Sequence, residues 1–159
     1  MEMETRPRAD IENIHVGDSA SCDVLISDRR VDEFAMFFQD TNPLHMDAEV
    51  AREYGFVGRV AHGLFSLGAI SQLIGTKLPG PGSLWVSQEL QFVAPVLMGD
   101  CITARVTVEQ LSRAAGLVVL RTEVVNAESG KVVMRGVAKV KILGSAEKAR
   151  LGSAARGES

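Results

Sequence analysis

The segment "HGLFSLGAISQLIGTKL", His62 to Leu78, restricts the possible folds most, because it carries no charged side chain before Lys77. A helix that is apolar on nearly every side is expected to be buried on nearly every side. The segment is shorter than the roughly 20 residues that a membrane span needs. We therefore predict that it is the central helix of a globular domain, ended by the turn-forming "PGPGS".

After Leu84 the pattern changes to β-branched, partly alternating segments separated by short turn-like stretches, which is typical of antiparallel hairpins. An earlier strand is predicted over Ser19 to Ser27, followed by a short helix. The four later segments are "LWVSQELQFVA", "CITARVTVEQL", "GLVVLRTEVVNA" and "KVVMRGVAKVKIL". The sequence thus predicts an α+β fold, an antiparallel sheet of about five strands wrapped around one central buried helix.

A chain of 159 residues fits one domain. We predict an N-terminal extension over residues 1–13, a single domain over residues 14–143 and a flexible tail over residues 144–159, where the sequence is small and charged. A five-stranded sheet with only one covered face leaves edges and surface exposed. The expected assembly is therefore a homodimer.

Composition excludes several classes of protein. The net charge of −3 gives little electrostatic support for binding nucleic acid. The polar N-terminus has no signal-peptide pattern, and no apolar run is long enough for a membrane span, so a cytoplasmic protein is expected. Cys22 and Cys101 lie far apart and outside any metal-ligand pattern, which indicates ordinary buried thiols in a reducing cytosol.

The chemistry-bearing stretch is "QDTNPLHMD", which directly follows the apolar "FAMFF". Asn42–Pro43 is predicted to end the helix and to form a turn that brings Asp40 and His45 side by side. A carboxylate beside an imidazole can hold a water molecule and move its protons. The alternative is that Asp40 caps a turn while His45 satisfies its ring nitrogens on the surface.

Asp47 fits the N-cap of the next helix better than a catalytic role. A metal site built from Asp40, His45 and Asp47 is a further possibility. Its spacing matches no established ligand pattern, and no second histidine is obviously near. We therefore expect no metal.

Gly63, in "VAHGLFS", stands where a helix leaves its first N–H groups unpaired. A ligand can approach a glycine closely, and the helix end favours developing negative charge, although Gly63 can equally serve tight packing. His62 is interpreted as a boundary histidine with satisfied nitrogens. Ser71 can donate a hydrogen bond to a carbonyl one turn earlier in the helix, or it can orient a carboxylate. Ile74 lies one turn later on the same side of the helix and is expected to form the floor of any pocket that Ser71 faces.

These segments resemble the MaoC-like dehydratases, and within them the stand-alone (R)-specific enoyl-CoA hydratases. The resemblance runs from about Ile14 to Leu143 and includes "LPGPGSLWVSQELQFVAPVLMGD". Its specific part is the D-x-N-P-L-H element followed by H-G at a helix start. The resemblance implies a hot-dog fold, with a long helix enclosed by an antiparallel sheet, working as a homodimer.

The resemblance also implies roles for individual residues. Asp40 and His45 match the catalytic pair, Gly63 supplies the backbone amide that binds the thioester, and Ser71 matches the supporting serine. Asn42, in the turn between Asp40 and His45, is a further supporting candidate. The implied reaction is syn addition of water to a trans-2-enoyl thioester of CoA or acyl carrier protein, giving an (R)-3-hydroxyacyl product. The thioester itself serves as electron sink, so no cofactor is expected.

Phe38 and Ile74 are candidates for the wall and floor of an apolar acyl pocket that excludes bulk water. Arg59 and Lys77 are candidate contacts for CoA phosphates. Two alternatives remain open. An acyl-CoA thioesterase of the same shape usually has a carboxylate on or near the helix, and none lies between His62 and Leu78. A non-catalytic acyl-thioester-binding module would need neither Asp40 nor His45.

Overall fold

The computed structural model describes residues 8–144. Within them the chain forms a 3₁₀ turn, four α-helices and five β-strands. Their bounds are Ile11–Asn13 for the turn, β1 Ser19–Leu25, α1 Asp28–Phe38, α2 Pro43–Met46, α3 Ala48–Glu53, α4 Gly63–Thr76, β2 Ser83–Phe92, β3 Cys101–Ser112, β4 Leu117–Asn126 and β5 Val132–Ile142. The tail predicted over residues 144–159 lies outside the described residues, except for Gly144.

The five strands form one antiparallel sheet, as predicted, and their order in it is β1-β3-β4-β5-β2. β2 follows α4 in the chain and pairs with β5, and β1 pairs with β3. β1 and β2 are therefore the two edge strands of the sheet. Side chains alternate between the two faces of a strand. On β3 the buried face carries Ile102, Ala104, Val106 and Val108. This face belongs to the core beneath α4.

α4 buries one side against β1, β2 and β3 and leaves the other exposed. The buried side carries Ser66, Ala69, Ile70, Leu73 and Ile74. The exposed side carries Leu64, Gly68, Ser71, Gln72 and Gly75. The prediction that this helix is buried on nearly every side is therefore wrong for the single chain, because the sheet covers only one side of it.

The N-terminal extension predicted over residues 1–13 contacts the domain through some of its described residues. Ala9 and Ile11 pack against the hydrophobic core. The backbone N–H of Ala9 donates a hydrogen bond of 2.8 Å to the carbonyl of Pro81, just after α4. This contact ties the start of the described chain to the turn that ends the central helix.

Cys22 and Cys101 are unpaired thiols, half-buried rather than fully buried. Burial raises the pKa of Cys22, Lys77 opposes this shift, and Asp23 adds to it. No helix in residues 8–144 is both long and apolar enough to cross a membrane.

The close approach of β2 and β5 depends on Gly136. A Cβ at this position would lie 2.1 Å from the carbonyl oxygen of Glu89 and 3.0 Å from the Cα of Leu90. We expect Gly136→Ala to destabilise the domain by at least about 2 kcal/mol, because main-chain atoms of β2 must shift. Urea unfolding monitored by circular dichroism measures this loss.

Gly75→Ala is the matched control for Gly136→Ala. A Cβ at Gly75, on the exposed side of α4, would meet nothing within 4 Å. Alanine is the better helix former by about 1 kcal/mol, so this variant should be as stable as the wild type or more stable. Equal unfolding midpoints for the two variants would contradict the close packing at Gly136.

Candidate active site

A mainly apolar pocket of about 340 Å³ opens at the amino end of α4. His45, His62, Gly63 and Ser66 supply side-chain or backbone polar groups to its wall. The rest of the wall comes from the loop before α4 and from the segment after β2, namely Val60, Ala61, Phe92, Val93, Ala94, Pro95 and Val96, together with Val133. This pocket brings together the two sequence stretches that carry the candidate chemistry.

The Asn-Pro element builds the bend that carries His45. Asn42 is the N-cap of α2: its Oδ1 accepts a hydrogen bond of 3.1 Å from the N–H of Leu44. Its carbonyl accepts one of 2.8 Å from the N–H of His45. Pro43 occupies the first helical position, where its missing N–H costs nothing. Asn42 thus supports the site by starting the short helix on which His45 lies.

One nitrogen of His45 is fixed by the main chain. Nδ1 lies 2.7 Å from the carbonyl oxygen of Val60, so Nδ1 carries the proton and donates it. The Val60 N–H in turn donates to the carbonyl of Leu44 at 3.0 Å, which ties the two segments together. In this tautomer the Nε2 of His45 is the nitrogen that can accept a hydrogen bond.

Asp40 lies beside His45, as the sequence predicts. One carboxylate oxygen of Asp40 and one ring nitrogen from each of His45 and His62 all lie within 4.8 Å of one another. The Asp40 side chain is 52% exposed, and its Oδ2 lies 3.9 Å from Nε2 of His62. The carboxylate therefore stands next to two imidazoles and still reaches solvent.

His62 is not the satisfied boundary histidine that the sequence suggests. Its side chain is 3% exposed, and its ring packs against two others, with the ring centroid 4.8 Å from that of Phe34 and 3.9 Å from that of His45. Its Nε2 lies 2.9 Å from the main-chain carbonyl of Asp40. Among the described residues, no group forms a hydrogen bond with its buried Nδ1.

Gly63 is the first residue of α4, where an N–H has no acceptor within its own helix. A Cβ at Gly63 would lie 2.9 Å from two ring atoms of Phe92. Glycine therefore lets Phe92 close one wall of the pocket against the helix start. The packing role and the ligand-binding role expected for Gly63 are compatible.

The structure places the predicted supporting serine, Ser71, away from this pocket. Ser71 is exposed and does not line the pocket, whereas Ser66 is buried and does. The two residues are five positions apart, which places them about 140° apart around a helix. The sequence reveals that angle, but it does not reveal which of the two sides faces the pocket.

The two residues predicted for the acyl pocket also lie elsewhere. Phe38 is 58% exposed and stacks on Phe34 with ring centroids 4.6 Å apart. Ile74 is 3% exposed within the hydrophobic core, near the other end of α4. Neither lines the pocket beside His45. Ile74 is buried because the side of α4 that carries it faces the sheet.

Arg59 and Lys77, the candidate phosphate contacts, are engaged within the protein. Arg59 forms ion pairs with Asp28 and Asp32 of α1, and its Nε donates to the main-chain carbonyl of His45 at 2.6 Å. Lys77 donates from Nζ to the carbonyl of Ser21 at 2.7 Å. Arg59 thus joins α1 to the helix that carries His45.

The metal site considered from the sequence included Asp47, but Asp47 serves as the N-cap of α3 and accepts from the N–H groups of Glu49 and Val50. Within the described residues, the possible metal ligands that cluster are Asp40, His45 and His62. That no metal is needed stays a prediction.

Known proteins resemble this chain over most of its length. A family model described as "MaoC like domain" matches residues 11–131. An (R)-specific enoyl-CoA hydratase from Rhodospirillum rubrum is 44% identical over 131 residues, which are 82% of this chain and 90% of that relative.

Two solved structures superpose on this chain with TM-scores of 0.80. One is an (R)-hydratase from A. caviae involved in PHA biosynthesis, 32% identical, with 83% of this chain and 99% of that chain covered. The other is an unliganded R-hydratase from Pseudomonas aeruginosa, 34% identical, with 85% and 86% covered. The class of protein is that of the hot-dog folds. Within it, this chain belongs to the MaoC-like domain family.

We predict that Arg59→Met lowers the free energy of unfolding by about 1–3 kcal/mol, because it removes charge-assisted hydrogen bonds from a side chain that is 14% exposed. Chemical denaturation measures the change. Arg29→Met is the control: its partner is Glu33, the two side chains are 84% and 62% exposed, and its loss should stay below about 0.5 kcal/mol. A similar small loss for both variants would show that Arg59 does not join these helices.

Proposed function

We propose that this protein is an (R)-specific enoyl-CoA hydratase, acting in reverse as a 3-hydroxyacyl-CoA dehydratase. The observation that carries the proposal is the meeting of the Asp40 carboxylate and the His45 imidazole, with His45 and the first residue of α4 both lining one apolar pocket. The activities named for its relatives support the same reaction class. The reaction is a hydro-lyase reaction, and the substrate is an acyl-CoA.

Gly63 binds the thioester in this proposal. The carbonyl oxygen accepts a hydrogen bond from the N–H of Gly63, where the amino end of α4 carries partial positive charge. Electron density drawn towards that oxygen leaves the β-carbon of the conjugated double bond electron-poor. The mainly apolar wall keeps bulk water away and strengthens this contact.

Asp40 and His45 hold the water that reacts. The Nε2 of His45 and an oxygen of Asp40 both accept hydrogen bonds, so together they orient the water and take one proton from it. The water oxygen forms a bond to the β-carbon, and the electron pair of the double bond moves towards the thioester. Asp40 and His45 then return one proton to the α-carbon on the same face of the double bond, which completes syn addition.

The working unit in this proposal is a homodimer in the cytoplasm. A second chain would cover the exposed side of α4, including Leu64 at 54% exposure, and the free edge β2, where Leu84 and Val86 are 50% and 58% exposed. Apolar side chains on an unpaired edge strand favour such pairing. The unpaired thiols Cys22 and Cys101 agree with a reducing compartment.

The wild-type protein should hydrate crotonyl-CoA, seen as loss of the absorbance of the conjugated thioester, and give the (R) product on chiral chromatography. Asp40→Asn and His45→Gln should each lower kcat by about 10²–10⁴-fold, because each removes one partner of the water. His15→Gln, at a histidine that is 69% exposed and does not line the pocket, is the control and should remain active.

Other results of the crotonyl-CoA assay would indicate a different function. Release of free CoA thiol would indicate the thioesterase, and binding without turnover would indicate the acyl-thioester-binding module. Wild-type rates in both site variants would exclude Asp40 and His45 as the reacting pair.

Treatment with EDTA followed by gel filtration should leave the hydration rate unchanged, because the thioester accepts the electron density that a metal would otherwise stabilise. The rate with crotonyl-CoA and the metal content by mass spectrometry are measured on the same samples. Loss of activity that added Zn²⁺ restores would show instead that Asp40, His45 and His62 bind a required metal ion.

A further inference from the structure

His62 contacts both members of the reacting pair. It touches Asp40 through a hydrogen bond and His45 through its ring face. At 3% exposure it is the most deeply buried of the three side chains in this cluster, and Phe34 packs against its ring. Building on the proposed function, we infer that His62 is a positioning residue that sets the places of Asp40 and His45.

The hydrogen bond fixes the segment that carries Asp40. This segment runs from Gln39 to Asn42, between α1 and α2, and it is exposed and without helix or strand. The Nε2–H of His62 donates to the Asp40 carbonyl at 2.9 Å, so the segment is tied to the residue just before α4. The same residue precedes Gly63, which in the proposal binds the thioester.

The ring contact fixes the orientation of His45. The Nδ1 hydrogen bond to Val60 holds one ring atom, but it leaves the ring free to turn about that bond and so to move Nε2. The His62 ring, with its centroid 3.9 Å away and tilted by 36°, blocks that rotation. The ring of His45, and with it Nε2, is therefore held in one orientation beside Asp40.

The unpaired Nδ1 of His62 is a cost of placing an imidazole at this buried position. Leaving a buried acceptor without a partner costs about 1–3 kcal/mol. A phenylalanine would stack on His45 and Phe34 without that cost. An imidazole combines the stacking with a donor for the Asp40 carbonyl, and the two contacts together act on both members of the pair.

Two substitutions separate these contacts. His62→Phe keeps the ring and removes the donor, whereas His62→Gln keeps an N–H near the position of Nε2 and removes the ring. Each should lower kcat for crotonyl-CoA by about 10–100-fold, the scale of a misplaced reacting group, with a smaller change in KM. His15→Gln, at a histidine that is 69% exposed, is the control and should match the wild type.

A double-variant cycle tests whether His62 acts through Asp40. In the Asp40→Asn background, His62→Phe should lower the remaining rate by less than about threefold, because the carboxylate it positions is already gone. The inference would be overturned if the fold losses in kcat from Asp40→Asn and His62→Phe multiplied in the double variant. Wild-type kcat in both His62 variants would overturn it as well.

A second measurement needs neither activity nor a variant that folds. In ¹⁵N-labelled wild-type protein, the Nε2–H of His62 should appear as a slowly exchanging proton, and His45 should show the Nδ1–H tautomer alone. Absence of the slowly exchanging proton would also overturn the inference. A wild-type protein that does not hydrate crotonyl-CoA would remove the proposed function, while these signals would still report whether His62 holds the two residues.

Discussion

The packing of α4 against the sheet is the constraint on which the site depends. Ile70 and Leu73 are fully buried between the helix and the strands, and they fix where the helix begins. His62 and Gly63 stand at that beginning, so a hydrophobic contact near the middle of the helix places one polar ring and one free backbone N–H at the pocket. The position of the polar groups is thus set by apolar packing.

Main-chain carbonyls then orient the side chains. The carbonyl of Val60 selects the tautomer of His45, and the carbonyl of Asp40 accepts from His62. Arg59 donates to the carbonyl of His45 and pairs with two carboxylates of α1. Each segment of the site is therefore held by another segment distant in sequence, and the proposed water-binding pair is ordered before any substrate binds.

Much of this arrangement follows from local sequence. The period change after α4 gives four of the five strands, Asn42 and Pro43 start the helix of His45, and Asp47 caps the next one. These are short-range effects of hydrogen bonding and backbone geometry, which neighbouring residues determine. The proximity of Asp40 and His45 could be predicted for the same reason.

Other features depend on contacts between distant segments. His62 is 17 positions after His45, and only the packing of α4 brings their rings together. The choice between Ser66 and Ser71, and the burial of Ile74, depend on which side of the helix the sheet covers. The left-handed backbone of Gln39, with φ of 57°, carries no sequence signal, because glycine is the usual residue for that conformation. The spacing of residues shows which of them share one side of a helix, but it does not show which other segment packs against that side.

The central claim is that the amino end of α4 and the Asp40–His45 pair act on the same thioester. A crystal structure with bound butyryl-CoA, which has no double bond to hydrate, tests it most directly. We predict that the thioester oxygen lies within about 3.2 Å of the Gly63 nitrogen, the usual limit for such a hydrogen bond, with the β-carbon facing Asp40 and His45. A thioester bound away from Gly63, or a β-carbon turned away from the two side chains, would contradict the account.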